Sequence, residues 1–341
     1  MSIACSEADV GEERLHATRV SLVKDVQTCR VVAVNPEAQD VVSLRLQPVS
    51  GGLHDFEAGA HIRLRLGREI VRAYSLCNGP DERDAYVIAV KREPASTGGS
   101  AAVHALRIGD EVEVNPPQNA FAVDWSSSHL VLVAGGIGIT PIIGMAREAA
   151  ARGHSFELHY FARGTAWAAF AEELGACAWG DRVRSHYGYE ASRVEAEMQS
   201  LLRERRPDSD VYVCGPLPLI DLVKKIAATS WPAERVHWES FGGAAVLPAP
   251  GESSAVEVRL ARANRTIRVA PDETILQALL ANDVDVPFSC REGQCGMCVV
   301  DVIEGVPDHR DDFLNDAVKA NGDCMAVCVS RAKTPALVLD L

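Results

Sequence analysis

The 341-residue sequence lacks the features that would place it in a membrane or on nucleic acid. No apolar run reaches about 18 residues, the length that a membrane-spanning helix needs. The N-terminal stretch MSIACSEADVGEERLH has no basic region followed by an apolar core, so no secretory signal is expected. The 34 basic residues are outnumbered by 47 acidic ones, and the net charge of −13 opposes binding to nucleic-acid phosphates. We therefore expect a cytoplasmic protein with neither a membrane span nor a nucleic-acid partner.

A disulfide framework is also not expected, although the chain has ten cysteines, because thiols stay reduced in the cytoplasm. Four of the cysteines follow the spacing C-x4-C-x2-C-x29-C, namely Cys290, Cys295, Cys298 and Cys328. This spacing is typical of plant-type [2Fe–2S] sites. Gly293 and Gly296 suit a tight loop around a cluster, because glycine accepts backbone angles that other residues resist.

Two alternatives to this ligand set remain open. Zinc is one, but zinc sites usually use paired C-x2-C units, and here only Cys295 and Cys298 form such a pair. Cys324 is the other, since it lies four residues before Cys328 and competes with it for the fourth ligand position.

The pattern of apolar, glycine and proline residues changes along the chain and predicts several domains. Short β-branched runs broken by Gly, Pro and Asp predict an antiparallel barrel or sandwich, and the later alternation of strand and helix patterns predicts a parallel sheet. In the last part, two alternating strands precede the helix ETILQALLAN, with Asp272 as its N-cap. The expected organisation is an irregular lead, a barrel, an α/β domain, a linker rich in Gly, Ala, Pro and Ser, and a cluster-bearing domain, at residues 1–23, 24–125, 126–240, 241–254 and 255–341.

The stretch RAYS in the predicted barrel places a cation and an aromatic ring on one strand face, because Arg72 and Tyr74 alternate with Ala73 and Ser75. Further on, a glycine turn precedes a short helix. The free N–H groups at the start of this helix suit a phosphate, and Arg72 and Lys91 could complete the anion site. The turn consists of Gly98, Gly99 and Ser100.

A second glycine-rich turn follows the predicted buried strand Leu130–Ala134 in VAGGIGITPI. Thr140 is expected to cap the following helix and Pro141 to lie in its first turn. Such a helix start suits a dinucleotide pyrophosphate, although a plain strand–helix turn is the alternative reading. The glycines of this turn are Gly135, Gly136 and Gly138.

Together these motifs resemble the phthalate dioxygenase reductase class of the ferredoxin–NADP reductase superfamily. The stretches that carry the resemblance are YSLCN, YVIAVKR, VAGGIGITP, CGP, DHRD and the final VSRAK…LVLDL, so that it extends from about residue 28 to the end. It implies a multidomain fold class: an antiparallel β-barrel for the flavin, an α/β parallel sheet for the nicotinamide nucleotide, and an α+β ferredoxin domain of the β-grasp type.

The resemblance also implies site residues. Arg72 would bind the flavin phosphate, Tyr74 would pack on the flavin ring, and Ser75 would lie near its reactive nitrogen. It implies FMN rather than FAD, and NADH rather than NADPH, although Arg163 could meet a 2′-phosphate. Catalytic positions would be Ser75, Cys214 of the VCGP stretch, and Phe241 of ESF, with Gly215 and Pro216 beside the nicotinamide.

The function implied is a reductase that passes electrons from NADH through FMN and the [2Fe–2S] cluster to a separate oxygenase. A Rieske-type enzyme acting on an aromatic acid is the expected partner, and a cytochrome P450 is the alternative. A rival of another class is a non-catalytic iron–sulfur sensor or carrier. Residues 255–341 have nine basic and fourteen acidic residues, which suits a basic partner surface. Asp308, His309 and Arg310 are expected to form an ion cluster in a loop.

Overall fold

The computed structural model describes residues 26–341 except 68–69, 80–81, 95–97, 204–205, 242–253, 285, 287, 289–292, 294–295, 297, 312 and 315. The predicted lead and nearly all of the predicted linker therefore lie outside the described residues. The described chain forms three main sheets and one two-stranded ribbon.

The first sheet is antiparallel and has six strands in the order β4-β3-β6-β1-β2-β5. An additional bridge between Leu76 and Ile88 links the segment after β4 to β5, so the two edges of the sheet meet as in a closed barrel. Apolar side chains that alternate along the strands fill its interior. The elements are β1 (Gln27–Ala38), β2 (Val41–Pro48), β3 (His61–Arg65), β4 (Val71–Ser75), β5 (Tyr86–Lys91), α1 (Gly99–Ala105) and β6 (Glu111–Val114).

The second sheet is parallel, with five strands in the order β11-β10-β7-β8-β9. Every residue of β7 and β10 is buried, as expected for central strands with helices on both faces. The elements are β7 (His129–Gly135), α2 (Ile139–Ala151), β8 (Phe156–Ala162), α3 (Ala171–Ala176), β9 (Val183–Tyr187), α4 (Ala191–Arg203), β10 (Ser209–Cys214), α5 (Leu217–Ala227) and β11 (Val236–Glu239).

The third sheet is mixed, with five strands in the order β13-β12-β18-β14-β16, and strands β15 and β17 form the separate ribbon. The first and last strands, β12 and β18, pair in parallel, as in a β-grasp fold. The elements are β12 (Val256–Leu260), β13 (Arg265–Val269), α6 (Ile275–Ala281), β14 (Val299–Glu304), β15 (Pro307–Asp308), α7 (Asp316–Asn321), β16 (Cys324–Ala326), β17 (Arg331–Ala332) and β18 (Ala336–Leu339).

The expected N-cap at Asp272 is wrong, because the cap of α6 is Thr274. The Thr274 hydroxyl accepts a hydrogen bond from the Gln277 N–H at 3.1 Å, and the Gln277 side chain accepts one from the Thr274 N–H at 2.8 Å. This reciprocal capping box satisfies two backbone donors at once, which a carboxylate two residues earlier would not do.

The chain forms two compact units. The first comprises the residues up to Ile70 together with Tyr74–Glu239, and the second comprises Ser240–Leu341 and the short stretch Val71–Ala73. Apart from Val71–Ala73 of β4, the barrel and the parallel sheet thus belong to one unit, and the exact domain boundaries stay a prediction.

Candidate functional site

The predicted flavin stretch forms β4, so its side chains alternate as expected. Tyr74 is half-buried against the barrel core, and Ser75 is buried at the end of the strand. Arg72 is half-buried, and its Nη1 donates to the Val71 carbonyl at 2.9 Å. Ala73 is exposed.

The predicted phosphate turn begins α1. Gly98 has a φ of +99°, and a Cβ there would lie 3.1 Å from the Ile70 Cδ1, so both conformation and space favour glycine. Ser100 Oγ accepts a hydrogen bond from the Glu93 N–H at 3.1 Å, and Lys91 Nζ lies 2.6 Å from a Glu93 carboxylate oxygen. Lys91 and Ser100 therefore converge on one residue, and the Lys91 charge already has a carboxylate partner.

The glycine turn after β7 lies directly against the loop that contains the VCGP motif. A Cβ on Gly138 would lie 2.2 Å from the Cys214 carbonyl oxygen, and one on Gly135 would lie 2.8 Å from the Pro216 Cδ. The two motifs are therefore in backbone contact that no larger residue at Gly138 would allow. By contrast, Gly136 has a φ of +55° and open space around it in the described structure.

Thr140 does not cap α2, contrary to the expectation. Gly136–Gly138 form one turn of 3-10 helix that runs straight into α2, so the cap position falls at Gly138. The Thr140 hydroxyl instead donates to the Ile137 carbonyl at 3.1 Å. Pro141 lies in the first turn of the helix, as expected.

Cys214 is fully buried at the end of β10, and burial raises the pKa of its thiol well above the usual value. Its sulfur belongs to the core around α2, and the backbone of the next two residues forms the turn into α5. Side-chain chemistry at this position is therefore that of a neutral thiol.

Helix α2 connects the glycine turn after β7 to the barrel. A Cβ on Gly144 would lie 3.0 Å from the Leu76 carbonyl oxygen, and Arg147 Nη1 donates to the Cys77 carbonyl at 2.6 Å. One turn later, the buried Glu148 accepts a hydrogen bond from the Ala58 N–H at 2.9 Å. The segment that directly follows β4 and the helix that begins at the glycine turn thus pack on each other.

Glu239 is a residue that the sequence analysis missed. It ends β11 opposite Cys214, and its Oε2 is enclosed without a hydrogen bond partner among the described residues. Although the residue keeps some exposed surface, burial of the carboxyl raises its pKa to about 8. The sequence offers one indication of Glu239: it is the first residue of the ESF stretch, in which only Phe241 is considered a site residue. Phe241 itself is 37% exposed and is not a core residue.

In the second unit, β14 and β16 bring two of the four motif cysteines together. Val299 lies opposite Ala326, and the Val327 N–H donates to the Cys298 carbonyl at 3.2 Å. Cys298, just before β14, and Cys328, just after β16, are therefore at the same end of the sheet, and both are buried. Cys290 and Cys295 lie outside the described residues.

Cys324 lies elsewhere on the same strand pair. It is opposite Asp301, three residues further along β14 than Cys298, which is about 10 Å at the usual rise of a strand. The thiol is buried, and this raises its pKa to about 11. This position favours Cys328 over Cys324 as the partner of Cys298.

The described glycines of the cluster loop fit a tightly folded segment. Gly293 has a φ of +73° and Gly296 of +68°, and a Cβ on either would come within 2.8 Å of a neighbour. Gly293 lies against Asp311 and Val329, and Gly296 lies against the ring of Phe313.

The predicted ion cluster is only partly present. Arg310 Nη2 lies 2.8 Å from an Asp308 carboxylate oxygen, on the surface. His309 is different, because its side chain is 8% exposed and points away from solvent.

The raised pKa of Glu239 predicts a pH-dependent stability. An unfolded chain loses this proton near pH 4.5, whereas the folded protein keeps it until about pH 8, so unfolding releases a proton between these values. The unfolding free energy should therefore fall with rising pH across this window, by up to about 1.4 kcal/mol per pH unit from this group. In Glu239→Gln that contribution should vanish. Denaturant unfolding followed by tryptophan fluorescence at several pH values measures it, and parallel profiles for both proteins would contradict the assignment.

Comparison with known proteins agrees with this architecture. Residues 258–333 match the model of the 2Fe-2S iron-sulfur cluster binding domain. The chain is 42% identical over 314 residues to a vanillate O-demethylase oxidoreductase of Pseudomonas sp. (strain HR199 / DSM 7063), covering 91% of this chain and 98% of that one. Among the described residues, no helix combines the length and apolar character needed to cross a membrane.

Solved structures give the same assignment. A phthalate dioxygenase reductase matches with a TM-score of 0.73 and 38% identity, over 93% of this chain and 98% of that chain. An intact type IV self-sufficient cytochrome P450 monooxygenase matches with a TM-score of 0.76 and 35% identity, over 93% of this chain but 41% of that chain. The sequence motifs, the three sheets and these similarities together show that the chain belongs to the phthalate dioxygenase reductase class of flavin- and iron–sulfur-containing oxidoreductases.

Proposed function

We propose that this protein is an NADH-dependent reductase that passes electrons through FMN and a [2Fe–2S] cluster to a separate Rieske-type oxygenase. The observation that carries the proposal is the combination in one chain of a flavin-type strand, a glycine turn packed on the VCGP loop, and two cysteines meeting at a sheet end. Bound FMN would supply the conversion between a two-electron hydride donor and a one-electron acceptor.

The barrel residues fit a flavin. Tyr74 offers a ring on the rim of the barrel core, and Ser75 offers an enclosed hydroxyl at the end of the same strand. Arg72 would supply a charge for the phosphate, and the turn Gly98–Ser100 would supply backbone N–H groups. The start of α1 offers N–H groups for one phosphate, and the class resemblance implies FMN, so we infer FMN rather than FAD.

The parallel sheet fits a dinucleotide. The open space around Gly136 leaves room for a pyrophosphate at the start of α2, where N–H groups point outward. We infer that the nicotinamide lies near Cys214, Gly215 and Pro216. Phe241 stays the candidate for the aromatic ring that the class resemblance implies near the flavin. Glu239, neutral at pH 7, would present a carboxylic acid beside this loop rather than a charge.

We infer that the cluster ligands are Cys290, Cys295, Cys298 and Cys328. The iron–sulfur family match covers all four, and the strand register supports the last two. Four thiolates in one loop and an adjoining strand end are the donor set of a plant-type cluster.

The ligand set is tested by single serine substitutions. Cys328→Ser should lose the cluster, with the visible absorbance and the bound iron falling together, because one of four ligands is missing. Cys324→Ser is the matched control, since its thiol lies about 10 Å along the sheet from Cys298 and should retain full iron content. The reverse result would identify Cys324 as the fourth ligand.

The order of electron transfer has its own test. In Cys298→Ser, NADH should still bleach the flavin absorbance, whereas reduction of cytochrome c should be abolished, because the exit group is gone. Extracted cofactor should elute as FMN on chromatography. A protein with cluster absorbance and no flavin would support the carrier hypothesis instead, and retention of both activities in Cys298→Ser would contradict the proposed order.

The nucleotide and the partner are the finer parts of the proposal. NADH should give a higher kcat/KM than NADPH, and a preference for NADPH would assign the exposed Arg163 to a 2′-phosphate. The relative named a vanillate O-demethylase oxidoreductase supports a partner that acts on an aromatic acid, and we infer that this partner is of the Rieske type. The similarity to a self-sufficient P450 keeps that enzyme as the second candidate. NADH-driven turnover with purified oxygenases of each type distinguishes the two.

A further inference from the structure

His309 occupies an unusual position behind the cluster loop. It is the sole histidine in residues 240–341. It follows β15 directly, and neither of its ring nitrogens finds a hydrogen bond partner within the described residues. A neutral imidazole has one donor and one acceptor, and leaving both unmade in a buried site is costly. A purely structural role would be served better by an apolar side chain.

The His309 ring lies close to the buried carboxylate of Asp311. His309 Nδ1 lies 3.6 Å from Asp311 Oδ1, too far for a hydrogen bond but close enough for an ion pair once the ring is charged. The Asp311 side chain is fully enclosed, and its oxygens accept hydrogen bonds from the Leu314 N–H at 2.8 Å and the Ser330 hydroxyl at 3.2 Å.

Asp311 connects this pair to the cluster loop. A Cβ on Gly293 would lie 2.8 Å from the Asp311 Cα, so the loop and the aspartate are in direct backbone contact. Ser330, which bonds Asp311, lies two residues after Cys328. The buried carboxylate therefore adjoins both segments that carry the ligands, and its negative charge opposes the arrival of an electron there.

Other charges around the pair do not cancel this opposition. Lys319 Nζ is 4.0 Å from Asp311 Oδ2 and donates to the Asp311 carbonyl, but it is partly exposed. Arg331, opposite Asp308 in the ribbon, donates to the Ser254 and Glu273 carbonyls. Among the described residues, the charged groups around the pair include Asp308, Arg310, Lys319, Arg331 and Glu273. None of these is a histidine, the residue type that exchanges a proton most readily near neutral pH.

We propose that His309 takes up a proton when the cluster domain gains an electron and releases it when the electron leaves. One electron enters the cluster, one proton comes from solvent to Nδ1 of the ring, and the resulting imidazolium pairs with Asp311. The proton offsets the added negative charge, so the reduction potential depends on pH. This inference rests on the iron–sulfur role proposed above. His309 would not bind iron; its ring would carry a compensating positive charge near the cluster.

The test is a potentiometric titration of the full-length holoprotein between about pH 6 and 9, followed by the EPR signal of the reduced cluster. This signal reports on the cluster alone and not on the flavin, which exchanges protons of its own. In the native protein the midpoint potential should fall with rising pH by up to about 59 mV per unit, the one-electron equivalent of a tenfold change in proton concentration.

Variants separate this role from a structural one. His309→Gln should give a potential independent of pH. Arg310→Gln is the matched control: it removes one exposed charge next in sequence, so it should shift the potential equally at all pH values and keep the slope. Asp311→Asn should move the sloping region to lower pH, because the imidazolium loses its partner.

Two results would contradict the role of His309. A pH-independent potential in the native protein, or an unchanged slope in His309→Gln, would overturn the role of His309. If His309→Gln fails to bind iron, the native profile and Asp311→Asn still give the answer. Absence of any reduced-cluster signal would instead contradict the iron–sulfur role itself.

Discussion

The first unit depends on the close packing of one helix, α2, between its two sheets. Gly144 lets the helix backbone approach the Leu76 carbonyl, and Glu148 accepts a hydrogen bond from a barrel N–H. A larger residue at position 144 would push the helix and barrel apart, and an apolar residue at 148 would leave a buried donor unpaired. Since α2 also begins at the glycine turn, the same contact sets where that turn lies relative to the segment after β4. The proposed hydride transfer requires such a fixed relation.

In the second unit the main constraint is that a small core must enclose a charged iron–sulfur cluster. Strands β14 and β16 place Cys298 and Cys328 side by side, and the glycines of the loop allow the chain to turn tightly. Around this site the chain places one enclosed carboxylate and one enclosed imidazole. Charges of opposite sign that can be created together cost less in a low-dielectric interior than a single charge.

Much of this architecture follows from patterns that the sequence displays locally. Runs of β-branched residues and glycine punctuation predict the strands, because periodicity and turn chemistry are properties of neighbouring residues. The strand at Leu130–Ala134 and the two strands before α6 are confirmed by the structure. The cysteine spacing is equally local. The family match confirms the iron–sulfur domain that it indicates, and the four ligands stay a prediction.

The failures have a common cause, namely competition that only the folded chain reveals. Thr140 and Asp272 are residue types that often cap helices. A 3-10 turn moves the cap of α2 to Gly138, and a capping box places the cap of α6 at Thr274. Glu239 and His309 are unremarkable in sequence, and their burial depends on strands far away in the chain. The role of Lys91 at an anion site stays a prediction, and its ammonium group pairs with Glu93 in the described structure.

The three glycines of the turn after β7 are each required for a different physical reason. Gly138 has an ordinary helical φ of −60°, so it needs glycine only because the Cys214 carbonyl leaves no room for a methyl group. Gly136 has room but a left-handed φ, so asparagine or aspartate could replace it at modest cost. Gly135 is limited by the side chains of Leu219 and Pro216, which could shrink in compensation. Substitution should therefore be limited to residues that accept a left-handed φ at Gly136, should require compensating changes at Gly135, and should be excluded at Gly138.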